Sequence, residues 1–147
     1  MRHVRIPLIA LLLAGIFAAG IFAGIRMQAV AAAPAAGERV YELRTYTTHE
    51  GRLDALHKRF TDHTCALFEK HGMTLVGFWT PTDGDAAKNT LVYIVSHESR
   101  EKAAESWKAF SADPAWQKAK EDSEKDGKIV EKAESVYMAA TDYSPIK

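Results

Sequence analysis

The chain has 147 residues, of which 47% are hydrophobic and 26% charged, with 9 Gly and 5 Pro. These values fit one folded domain and exclude collagen-like, low-complexity and disulfide-built scaffolds, because the single cysteine, Cys65, can close no intrachain disulfide and build no cysteine zinc site. The formal charge is zero, but Arg2, Arg5 and Arg26 are the only charges ahead of Glu38, so the remainder is slightly acidic and carries no basic footprint for nucleic acid.

Ile6 to Ile25 is an unbroken apolar or small-residue run, preceded by Arg2, His3 and Arg5 and followed by Arg26 and Ala-rich sequence. That layout predicts a secretory signal peptide over residues 1–31, with the small-x-small pattern Ala29-Val30-Ala31 at the cut. The run is also long enough to span a bilayer of about 30 Å, so an uncleaved N-terminal membrane anchor is the alternative. No cysteine follows the run until Cys65, and the first serine is Ser96, which removes lipoprotein and transit-peptide readings. Residues 32–38 read as a linker and 39–147 as the domain, expected to be secreted or periplasmic, with the membrane touched only through an uncleaved N-terminal segment.

Val40 to Thr47 is rich in Tyr, Val and Thr and predicts a strand. From Arg52 to Lys70, Leu53, Leu56, Phe60 and Leu67 recur at helical spacing, and Gly72 is the expected stop. Thr74 to Thr80 predicts a second strand, Pro81-Thr82-Asp83-Gly84 a turn, and Asn89 to Ser96 a third strand. Ser99 is a candidate N-cap for a helix burying Ala103, Trp107 and Phe110, and Asp113-Pro114 starts another through an N-cap followed by proline. Gly127 ends that piece, and Ile129 to Met138 supplies a fourth strand.

This order is the α+β, ferredoxin-like βαββαβ arrangement, an antiparallel sheet with helices on one face. Leu91-Val92-Tyr93-Ile94-Val95 is apolar on both parities, the pattern of a strand covered on both sides. A second copy packed sheet to sheet, giving a dimeric α+β barrel, would provide that cover, as would a covering tail. A homodimer is therefore expected.

On the first helix, His63 falls at the flank of the apolar stripe, where it could line a pocket; His57 and His71 project elsewhere, so no metal site is expected there. Cys65 projects away from the stripe and is expected exposed. Glu42, Arg44 and Tyr46 share one parity of the first strand; since two are charged, the expectation is that they lie opposite the helices, paired with each other or holding a ligand. Tyr93, Trp79 and Trp107 would add an aromatic lining. There is no GxSxG, Gly-rich phosphate loop, HExxH or CxxC, so no cofactor is indicated.

Tyr41-Glu42-Leu43-Arg44-Thr45-Tyr46, His63 with Leu67 to Met73, Gly77-Phe78-Trp79, Asn89 to Tyr93, Ser99-Arg100, Trp107 with Phe110, Asp113 to Trp116 and Asp142 to Pro145 together resemble the NIPSNAP family. The resemblance spans about Val40 to Pro145 and implies the dimeric α+β barrel, a fold also used by small cofactor-free monooxygenases, isomerases, dehydratases and haem proteins. It implies no single reaction. Animal members are mitochondrial, whereas this chain carries an export-type leader.

The expected function is binding of a small, mostly apolar molecule with one polar end, oriented by Arg44, Tyr46 and His63 and lined by Trp79, Tyr93 and Trp107. The enzymatic alternative is cofactor-independent oxygenation or isomerisation, with His63 moving a proton and Arg44 stabilising an enolate. A pure assembly module without a pocket is the third reading.

Overall fold

The computed structural model describes residues 39–147; the expected signal segment and linker, 1–38, lie outside the described residues. Strand β1 is Val40–Thr48, and Gly51, at φ +69°, turns the chain into a helix. That helix runs without interruption through α1 (Leu53–Arg59), a π-helical turn (Phe60–Thr64) and α2 (Cys65–Lys70). Gly72, at φ +78°, ends it in the left-handed conformation that only glycine adopts cheaply. Strand β2 (Thr74–Trp79), a short 3-10 turn (Asp85–Lys88) and β3 (Thr90–His97) follow, then α3 (Arg100–Ala112), α4 (Pro114–Ser123) and β4 (Val130–Met138).

The four strands form one antiparallel sheet in the order β2-β3-β1-β4, the ferredoxin-like topology. Both expected caps are present. The Ser99 hydroxyl accepts from the Lys102 amide, and Asp113 Oδ1 accepts from the Ala115 amide at 2.8 Å with Pro114 at the first helical position. Asp113 also accepts from Lys70, the last residue of α2, and from His71, which caps it, each at 2.7 Å, so one carboxylate ties the first helix to the junction of α3 and α4.

The core lies between the sheet and the helices and is built on aromatic rings. Tyr93 of β3 is fully buried, stacked on Phe78 and met edge-on by Phe60 at 5.2 Å. Phe68 packs against Tyr93, Trp107 and Phe110, its centroid 4.9 Å from that of Phe110.

The π turn alters the helix's phase. Its wider pitch carries the buried stripe through Leu56, Phe60, Thr64 and Phe68, steps of four residues, rather than on to Leu67. His63, expected at the edge of the buried stripe, is therefore exposed, while Cys65, expected outside, is half-buried against the core. Burial, with Glu69 nearby, pushes the Cys65 thiol above its ordinary pKa, so nothing activates it as a nucleophile.

The opposite face of the sheet carries the uncharged parity of β1. Across it, Ile94, Leu43 and Val136 are register neighbours, and Trp79 pairs with Val92. Val92 and Ile94 are half-buried, and Trp79 and Val136 are more than half exposed. The C-terminal segment from Ala139 to Ile146 lies along one end of this face, where with Tyr41, Val76, Ile94 and Met138 it encloses an apolar groove of about 260 Å³.

Replacing Phe68 by Ala removes the ring that joins sheet to helices, and is expected to cost about 3–5 kcal/mol in urea unfolding. A loss under about 1 kcal/mol would show that the aromatic cluster does not hold the two layers together.

Candidate functional site

The charged parity of β1 faces the helices, which corrects the expectation that Glu42, Arg44 and Tyr46 lie on the other side. The physical reason is a set of donors that the sequence pattern did not reveal. Glu42 is 1% exposed, and its carboxylate accepts from Arg44 Nη1 at 2.7 Å, from Trp107 Nε1 of α3, and from His97 Nε2 at 3.2 Å. A carboxylate with three donors can be buried, so charge alone does not mark the outer face. Burial pushes the Glu42 pKa up, but the hydrogen bonds from His97, Trp107 and Arg44 outweigh it and hold the group down at about 2. Because an ionised carboxylate only accepts, His97 carries its proton on Nε2.

Arg44 extends the chain of contacts. Its guanidinium lies 4.4 Å from the Trp107 ring and 5.3 Å from that of Tyr46, and its Nη2 donates to the Tyr46 hydroxyl at 3.2 Å. Burial disfavours the cation, yet the Tyr46 and Tyr93 oxygens and the Glu42 carboxylate raise its pKa further, so Arg44 is a permanent positive charge. Tyr93 stands opposite Arg44 in the register, and burial raises its hydroxyl well above the ordinary value. Arg44 Nε, Tyr93 Oη and His97 Nδ1 are buried without a hydrogen-bond partner among the described residues. Each such atom costs about 1–3 kcal/mol.

The cluster reaches a surface opening through Tyr46. Its ring forms part of a cleft of about 300 Å³ between β1, β4 and the helices, together with Arg59, Trp116, Lys120, Glu124, Lys128, Val130 and Ala133. Since the Tyr46 oxygen accepts from Arg44, its own proton is left to donate. The site is thus a cleft with aromatic and aliphatic walls and a cationic rim, backed by a tyrosine whose hydroxyl is held by a buried arginine.

Among the residues expected at the site, Arg44, Tyr46, Tyr93 and Trp107 come together. His63 does not join them. It lies instead in a neighbouring polar hollow with Asp62, Arg52, Asp122 and Asp126, which shares Arg59 with the cleft. Trp79 is 52% exposed on the far face of the sheet, its ring lying over Gly77, because its parity is opposite to that of Phe78. The sequence reading missed Glu42 as the centre of the cluster, with His97, and it missed Arg59, Trp116, Lys120 and Lys128 in the cleft. Spacing could not find these, since they come from α1, α4 and the loop before β4. Among the described residues no group of three or more His, Cys, Asp and Glu side chains is placed to share a metal ion.

Glu42 titrates near 2 in the folded chain against an ordinary 4.5, so its contribution is complete above about pH 4.5 and declines as pH falls towards 2. It amounts to about 3 kcal/mol. In urea unfolding, Glu42→Gln is expected to lose about 3–5 kcal/mol at pH 7 by stranding Arg44, and to fall less steeply than wild type between pH 4.5 and 2. Equal slopes in that window would contradict the three-donor description.

The NIPSNAP family model matches residues 41–145. No curated protein matches the chain. Among solved structures, a NIPSNAP family protein of unknown function from Agrobacterium tumefaciens is 28% identical, covers 76% of this chain and 96% of its own, and superposes with a TM-score of 0.65. A second from the same organism is 19% identical, covering 75% of this chain and 100% of its own at a TM-score of 0.65. An uncharacterised NIPSNAP-like domain protein from Burkholderia xenovorans is 17% identical, covering 74% and 90% respectively at 0.64. With the matched span covering most of the chain and the ferredoxin-like α+β topology in agreement, this protein belongs to the NIPSNAP family.

Proposed function

We propose that the domain is an exported binding protein for a small, mostly apolar molecule with one polar end, held in the cleft between sheet and helices. The observation that carries the reading is the join between that cleft and the buried Glu42-Arg44 pair through Tyr46. A cleft of about 300 Å³ is within the size range of small-molecule sites. Trp116, Val130, Ala133 and Tyr46 supply the apolar surface, and Arg59, Lys120 and Lys128 supply the polar side.

The leader read in residues 1–31 supports a secreted or periplasmic protein, or one anchored in the inner membrane if the leader stays attached. The exposed Trp79 and Val136, in continuity with Leu43 and Ile94, support a homodimer packed through that face of the sheet. The assembly-only reading has the weaker support, because the helix side of the sheet is not filled to the rim. Turnover by proton abstraction at His63 has no geometry behind it.

Ala133 lies on the exposed edge strand and lines the cleft, so Ala133→Trp fills the space and is expected to change stability by no more than about 0.5 kcal/mol. Native mass spectrometry of the exported chain is expected to find a small molecule on the wild type and none on the variant. The same adduct on both proteins would rule out the cleft as its site.

A further inference from the structure

Resting on the cleft reading above, we infer that the polar end of the molecule is an anion, so that the ligand class is a small aromatic or aliphatic carboxylate. The assignment starts from Arg59. This residue projects from the last turn of α1 and is 4% exposed, yet it lines the cleft. Its Nη1 donates to Glu124 Oε1 at 3.1 Å and to Ser123 Oγ at 3.4 Å, while its Nε is buried with no partner among the described residues. The guanidinium lies 5.3 Å from the Trp116 ring, which fixes the fork against an aromatic plane in the same cleft.

The charge balance adds a second, independent observation. Three cations, Arg59, Lys120 and Lys128, line the opening against the single carboxylate of Glu124. Glu124 is already committed to Arg59, and neither Lys120 nor Lys128 has an ion-pair partner among the described residues. The remaining walls are apolar or aromatic. A cation would be repelled by this excess of positive charge, whereas an anion is drawn to the lysines and to Arg59 Nη2, which donates to no described residue and is not among the buried unpaired atoms. A carboxylate on a flat apolar body answers both halves, with its charge at the Arg59 and lysine side and its body against Trp116 and Tyr46.

The test compares naphthalene-2-carboxylate with its uncharged isostere naphthalene-2-carboxamide by isothermal titration calorimetry on the full chain, on the double variant K120Q/K128Q and on A133W. In the wild type the carboxylate is expected to bind about 10-fold more tightly than the carboxamide, from one charge-assisted contact. The double variant is expected to lose that preference while keeping the carboxamide affinity, a result that misfolding could not produce. A133W is expected to abolish binding of both probes. Equal wild-type affinities for the two probes would overturn the anion assignment and leave the cleft reading standing. Binding of both probes undiminished in A133W, or binding of neither probe to the wild type, would overturn the cleft reading itself.

Discussion

A single carboxylate, that of Glu42, dictates how the two layers of this domain meet. Buried beneath α3, it demands donors, and it receives them from its own strand through Arg44, from β3 through His97 and from α3 through Trp107. Those three contacts tie β1, β3 and the second half of the chain together. They also place Arg44 between the Trp107 ring and Tyr46, so the electrostatics of the core extend to the wall of the cleft that comes from β1. Removing the anion would leave a desolvated cation, which is why the pair acts as a unit.

Much of the architecture was legible because it is local. Ser99 and Asp113-Pro114 announce helix starts, Gly72 a helix stop, and four runs carrying β-branched and aromatic residues the strands, and from that order the α+β topology follows. The face of β1 was not legible, since period-two parity says which residues travel together but not which set is inside. The usual guide, that charge points outward, fails where donors from remote segments satisfy the charge, and Trp107 is 65 residues from Glu42. The π turn defeated the placement of His63 and Cys65 for a related reason: extrapolating 3.6 residues per turn across a wider turn moves every later residue to the wrong side. Arg44, Tyr46, Tyr93 and Trp107 were nonetheless correctly grouped, because register and aromatic spacing both bring them to one place.

The two faces of the sheet now have different characters. The helix face is aromatic, internally hydrogen-bonded and open along the edge by β4, where the cleft lies. The other face is uncharged at Tyr41, Leu43 and Thr45, is partly covered by the chain's own C-terminal segment, and exposes Trp79 and Val136. A molecule bound on the first face would leave the second free for a neighbour. A molecule bound on the second would compete with both the tail and any partner copy. The face that a ligand occupies is therefore the point on which the account stands.

Chemical-shift mapping of the backbone amides and Trp indoles during titration with naphthalene-2-carboxylate reads that face directly. Displacements concentrated at Tyr46, Trp116 and Ala133 are the predicted result. Displacements confined to Trp79, Ile94 and Val136, with the cleft residues unmoved, would contradict it.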